Sequence, residues 1–334
     1  MLINKGFPVT YGRGIAAQHV DTFENCLIIT MEDIWPVLNP FFHTPPRHLH
    51  FVKTLEIREL EAWIADVEGI SSVVGMGGGV AADVAKFVHW KKSLPLYQIP
   101  TIVSVDAFFT HEIAIRDNGV VKYIGDAVPE RVFVDYDIIE TAPKLLNRSG
   151  LGDILSCHTG LFDWKLAAEA GETPEWNEAL AAETREILDS VKKNIHEIAA
   201  VSETGIQMMV DTLNWIGLNC YTQGHPRFEE GSEHHFVYNL EYLTGQHFVH
   251  GQAVCLGIYI MSVFQQNHAD EILRIIRNSK VDIRPESIGV TWADVKKALL
   301  TLKEFVVREK LPYTLLHEKE ITPELYETIR TALQ

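Results

Sequence analysis

Two histidine-bearing segments stand out for their chemistry. Gly231-Ser232-Glu233-His234-His235-Phe236 opens one helical stretch, and His247-Phe248-Val249-His250-Gly251 opens the next. Imidazoles at the ends of adjacent antiparallel helices can point at one spot. One carboxylate would complete the three-ligand set with which a catalytic metal keeps a position open for substrate. Asp153, in Gly150-Leu151-Gly152-Asp153-Ile154-Leu155, sits where a glycine-rich turn enters a helix, a place that favours an anion. With 15 histidines in 334 residues, chance pairing and plain packing compete with this reading.

A second signal is Val73-Val74-Gly75-Met76-Gly77-Gly78-Gly79, an apolar run that enters three glycines ahead of a helix carrying Asp83 and Lys86. Glycines at such a turn let backbone N–H groups approach a phosphate, and the helix N-terminus adds about half a positive charge. The spacing matches neither G-x-G-x-x-G nor a Walker loop. A turn that merely needs glycine explains the pattern equally well, because such turns are common in α/β sheets.

These residues need elements to hold them. Short apolar runs at 26–31, 50–55, 71–75 and 131–135 read as strands, and 57–67 and 81–90 have helical spacing. Their alternation predicts βαβ units and a mostly parallel sheet. Asp117-Asn118-Gly119 between 111–116 and 120–124 predicts a hairpin. Beyond Pro143 the strand signals stop, and 175–200, 203–221, 233–244, 251–266 and 292–309 read as helices. Thr173-Pro174, Thr291 and Thr322-Pro323 are the expected starts of three helices. The chain is therefore expected to form an α/β domain over 1–145 and an all-helical domain over 146–334.

The 29 basic against 45 acidic residues give a net charge of −16, which argues against nucleic acid or an anionic membrane as partner. The longest apolar stretch, 253–264, is well short of the ~20 residues of a membrane span. Cys26, Cys157, Cys220 and Cys255 have no metal-site or disulfide spacing. The opening Met1-Leu2-Ile3-Asn4-Lys5-Gly6-Phe7 lacks an apolar signal core, so a cytoplasmic enzyme is expected; a homo-oligomer is a separate expectation.

Four ordered blocks carry a resemblance. Gly77-Gly78-Gly79-x-x-x-Asp83-x-Ala85-Lys86 resembles the pyrophosphate loop of the metal-dependent, iron-containing type polyol dehydrogenases. That superfamily includes glycerol and glycerol-1-phosphate dehydrogenases and is related to dehydroquinate synthase. Pro100-Thr101-x-x-Ser104-x-Asp106-Ala107 is similar to its segment at the nicotinamide and polyol. Asp137-Ile138-Ile139-x-x-Ala142-Pro143, Gly150-Leu151-Gly152-Asp153 and Asp163-Trp164-x-Leu166-Ala167 are closest to the glycerol-1-phosphate branch. Gly231-Ser232-Glu233-His234 and His250-Gly251-x-x-Val254 resemble the two histidine segments of its metal site.

The resemblance implies a Rossmann-like α/β domain followed by an all-α domain, as in the dehydroquinate synthase fold. It implies Asp153, His234 and His250 as ligands of one divalent ion, zinc first and iron or nickel next, with His235 the competing choice. It implies NAD or NADP on Gly77, Gly78, Gly79, Asp83, Thr101 and Ser104, and a small polyol or polyol phosphate as substrate. The acidic Glu32 and Asp33 after the first strand lean toward NAD. Asp106 is the candidate for holding a second substrate hydroxyl. His247, His158 and Tyr238 are candidate proton relays, and Arg227 and Arg116 candidate phosphate contacts. The His234–His250 spacing and Lys122-Tyr123-Ile124-Gly125 are similar to the synthase branch. However, that branch has a glutamate in place of Asp153 and a Ser-Ser-x-Gly-Gly-Lys run where Ala107-Phe108-Phe109 stands. A sugar phosphate cyclase is the alternative reading.

Overall fold

The computed structural model describes residues 6–20, 22, 25–173 and 175–334. Six parallel strands form one sheet: β1 (Val9–Gly12), β2 (Cys26–Thr30), β3 (His48–Phe51), β4 (Ser72–Gly77), β5 (Leu96–Pro100) and β8 (Arg131–Asp135), in the order β1-β8-β5-β4-β2-β3. Strand residues alternate between two cores, as the pleat requires. Leu27 and Ile29 pack under the helices Ile57–Ala65 and Gly79–Lys92, while Cys26 and Ile28 pack with Ala16, Val20 and Leu38 on the other face. The chain thus leaves β2 on one face and β4 on the opposite one. A crevice at the carboxyl ends of such a pair is where open α/β sheets bind ligands.

The hairpin forms as expected from β6 (Ile113–Asp117) and β7 (Val120–Ile124), which pair antiparallel. Asn118 and Gly119 have φ of 52° and 79°, the left-handed pair that a two-residue turn needs. After Asp135 the described residues contain helices and no further strand. Trp292–Glu309 begins on a capping box of Thr291 and Asp294, and Thr322 caps Pro323–Leu333. Of the Thr173-Pro174 start, Pro174 lies outside the described residues, and Asn177 caps Glu178–Lys193. No helix among the described residues is long and apolar enough to cross a membrane.

Two compact units result. One holds the chain up to Asn147 together with Val210–Thr222, and the other holds Arg148–Met209 and Gln223–Gln334. The helix Glu203–Gln223 is therefore divided, its first residues clustering with the helical unit and Val210–Thr222 with the sheet. In the sheet unit the Asn214 amide both accepts from and donates to the Phe7 peptide, at 2.8 and 2.9 Å. A Cβ on Gly217 would lie 1.9 Å from the Phe109 carbonyl, so only glycine permits that approach.

Candidate active site

In the helical unit, Asp153, His234 and His250 come together. Asp153 Oδ1 is 3.5 Å from His250 Nε2 and 4.0 Å from His234 Nε2, and the two rings lie 5.4 Å apart. One donor atom from each of the three falls within 4.8 Å of the others. Ligands held tetrahedrally at ~2.1 Å from an ion stand about 3.4 Å from one another, so the set fits a divalent metal after slight contraction. Asp153 and His234 are buried, whereas His250 keeps 31% of its side chain exposed and marks the open side.

Each of the three lies in the first turn of a helix: Leu151–Glu169, Ser232–Thr244 and His250–Gln265. This corrects the expected antiparallel pair, because it is two helix N-termini that meet. From His234 to Thr244 the helix rises about 15 Å, and residues 245–249, extended, can span that distance back. Glycines allow the close approach. A Cβ on Gly152 would lie 2.3 Å from the Gly251 carbonyl oxygen, and one on Gly257 would lie 2.6 Å from that of Glu233.

Behind the histidine, His234 Nδ1 and Glu233 Oε1 are 2.9 Å apart. Burial opposes charging the His234 ring, but the hydrogen bond and charge of Glu233, joined by Glu230 and Asp153, outweigh it and lift its pKa to about 9. A divalent ion has to displace that proton. Asp163 accepts from Ser232 N, Ser232 Oγ, Leu315 N and Gln265 Nε2, and so ties down the start of the His234 helix. His235 is buried and is not one of the three that converge, and burial, with the charge of Arg227, pushes its pKa well down.

In the sheet unit, β4 runs into the glycine turn, and Gly78 heads Gly79–Lys92 with no side-chain hydrogen bond capping it. The first N–H groups of that helix are the ones a pyrophosphate would use. The glycines divide by role. A Cβ at Gly75 or Gly77 would strike Ala85 or Ala81 of the helix at 2.8 and 2.7 Å, so these two serve strand–helix packing. A Cβ at Gly78 meets only the tip of Ile102 at 3.2 Å. Thr101 N donates to the Gly77 carbonyl at 2.8 Å, and Val105 faces Gly79, so the loop with Thr101, Ser104 and Asp106 lies against the turn. Asp83 is placed differently from the expectation of a cofactor contact. It is buried, with Oδ1 2.9 Å from Lys86 Nζ and accepting from Ala114 N at 3.2 Å.

Comparisons with known proteins place the chain in a family. Residues 44–143 match the family described as iron-containing alcohol dehydrogenase. A glycerol-1-phosphate dehydrogenase [NAD(P)+] from Thermofilum pendens is 31% identical over 271 residues, covering 75% of this chain and 76% of the relative. The chain belongs to the iron-containing alcohol dehydrogenase family. Another member, the glycerol-1-phosphate dehydrogenase [NAD(P)+] of Aeropyrum pernix, is 28% identical over 83% of this chain and 77% of its own. Solved structures share the fold over nearly all of the chain. A probable glycerol dehydrogenase from Sinorhizobium meliloti superposes with a TM-score of 0.73 at 20% identity, covering 99% of this chain and 98% of that one. The glycerol dehydrogenase of Schizosaccharomyces pombe gives 0.72 at 18% identity, covering 99% and 90%.

Around the candidate site, some expected roles move. His158 Nε2 is engaged by the Asn267 carbonyl at 2.9 Å, and the Tyr238 hydroxyl donates to Glu230. Arg227 is 5% exposed, donates to the Tyr313 carbonyl and faces the charges of Asp163, Glu230 and Glu233. It therefore neutralises interior carboxylates and is no surface phosphate contact. Phe108 and Phe109 are buried and pack edge to face at 6.3 Å. The polar residues behind His234, namely Glu233, Thr159 and Asp163, were not among the expected site residues. The direct Glu233-His234 adjacency and the Asp163-Trp164 block were the available signals.

Proposed function

We propose that this chain is a metal-dependent, NAD(P)-dependent dehydrogenase that interconverts a polyol or polyol phosphate, of the glycerol or glycerol-1-phosphate kind, with its ketone. The convergence of Asp153, His234 and His250 carries the reading, and relatives named glycerol-1-phosphate dehydrogenase supply the substrate class. Two imidazoles and a carboxylate suit zinc, with iron or nickel next. A bound divalent ion acts as a Lewis acid that lowers the pKa of a substrate hydroxyl, and the dinucleotide supplies the hydride acceptor.

The chain's own groups do the rest. Asp153 gives the trio its single formal charge, and the exposed flank of His250 admits the substrate oxygen. Gly78 and the uncapped helix start offer N–H groups to the pyrophosphate. Asp106 accepts from a second hydroxyl of a vicinal diol. Glu32, paired with Lys53, follows the strand next to β4, where an acid accepts from an unmodified ribose, so NAD is the favoured cofactor. A homo-oligomer in the cytoplasm is the accompanying expectation, checked by sedimentation and cell fractionation.

The deciding experiment follows the absorbance of reduced cofactor while polyols, polyol phosphates and heptulose phosphates are offered to metal-loaded protein. Reduced dinucleotide should form with glycerol or glycerol-1-phosphate. Asp153→Ala, His234→Ala and His250→Ala should each lose metal and turnover with the fold intact, while His235→Ala keeps its metal. If His235→Ala empties the site and His234→Ala does not, the ligand register is wrong by one. Consumption of a heptulose phosphate with NAD unchanged, and no alcohol oxidised, would make the cyclase the better reading.

A further inference from the structure

We propose that Glu233 is a positioning residue for the metal centre, holding the His234 ring in the tautomer and orientation that present Nε2 to the ion. The inference rests on the metal reading above and deepens it. With Nδ1 donating to Glu233 Oε1 at 2.9 Å, the lone pair of His234 is left on Nε2, the atom that faces Asp153.

The carboxylate cannot swing away, because each of its oxygens has a further partner. Oε1 also accepts from Gly231 N at 2.6 Å, and Oε2 accepts from Thr159 Oγ1 at 2.7 Å. Its backbone is pinned as well, since the carbonyl oxygen of Glu233 sits where a Cβ on Gly257 would come within 2.6 Å. Glu233 is fully buried, so no water competes for its hydrogen bonds. A buried carboxylate in this state is costly unless its partners use it, and His234 is the partner on the site's side. Such a carboxylate fixes ring direction and raises the basicity of the ligand nitrogen, which typically accounts for about 10–100-fold in metal affinity.

The test measures zinc affinity by competition with a chromophoric chelator, and the visible spectrum of the cobalt(II) form, for the wild type and three variants. Glu233→Ala should weaken zinc by about 10–100-fold and alter the cobalt spectrum, because the ring is free to turn. Glu233→Gln keeps an acceptor oxygen but not the charge, so it should recover part of the loss and remain about 10-fold weaker than wild type. Thr159→Ala removes a partner of Glu233 without touching His234, and should stay within about 3-fold of wild type. Wild-type affinity and spectrum in both Glu233 variants would overturn the proposal. Weaker zinc binding in Glu233→Ala with a cobalt spectrum identical to wild type would overturn it too, since Glu233 would then only secure the helix start without setting the ring. Should Glu233→Ala fail to fold, Glu233→Gln decides alone. A wild-type protein that binds neither zinc nor cobalt would instead defeat the metal reading itself.

Discussion

Asp163 shows how a single side chain can hold a site it never touches. It is fully buried, and burial, helped by the charge of Glu233, pushes its pKa to about 6 against the hydrogen bonds from Ser232 and Leu315. The unfolded carboxyl gives up its proton near pH 4. Between pH 4 and 6 the native state therefore binds more protons than the unfolded one, and stability falls as pH rises, by about 3 kcal/mol in all. Asp163→Asn has no such proton. The difference in unfolding free energy between wild type and variant should slope down from pH 4 to 6 and level off above, as read by urea denaturation at each pH. A flat difference would mean that the carboxylate is charged throughout. At this scale the sequence was informative where chemistry is spelled out by neighbours: Gly152-Asp153 could be read as written, whereas the role of Glu233 beside His234 could not. It gave Asp83 to the cofactor, because a buried ion pair with Lys86 three residues on looks the same in sequence as an exposed one.

Among the elements, glycines decide both candidate sites, by different means. At Gly152 a Cβ would collide with backbone of the helix His250–Gln265, which cannot move aside without separating Asp153 from His250. Gly152→Ala should lower the melting temperature and weaken zinc at least ~10-fold, about 1.4 kcal/mol. Gly78 has φ of −94°, which any residue adopts, and only the flexible end of Ile102 is near. Gly78→Val should melt like wild type and yet raise the dinucleotide dissociation constant at least ~10-fold by calorimetry. Unchanged dinucleotide binding would leave that glycine to turn geometry. The elements themselves were unevenly legible. The Asn118-Gly119 hairpin and the Thr291-capped helix announce themselves through local chemistry. β1 and β5 do not. Val9–Gly12 is a half-buried edge ending in glycine, and Leu96–Pro100 carries the buried Gln98, whose amide nitrogen donates to the Ala82 carbonyl of the neighbouring helix. β3 begins at His48 instead of the expected residue 50, because its register is set by pairing with Leu27–Thr30, which no local pattern reports. The helical stretch over 175–200 breaks at Asn194, whose side chain turns back onto the Ser190 carbonyl.

For the whole molecule, the change from strand-bearing to helical segments near Pro143 was visible as a change of residue pattern, but the membership of the helix Glu203–Gln223 was not. Its sequence is continuous, while Asn214 and Gly217 commit its later part to the sheet unit through Phe7 and Phe109. One rod of backbone hydrogen bonds is therefore divided between two compact units. In deuterated water, amides within a unit open together and share one free energy of exchange. The amides of Glu203–Gln223 should then fall into two classes with a step near Met209 and Val210, each class following the slow amides of its own unit as denaturant is raised. A single exchange free energy along the helix would mean that the chain opens as one foldon.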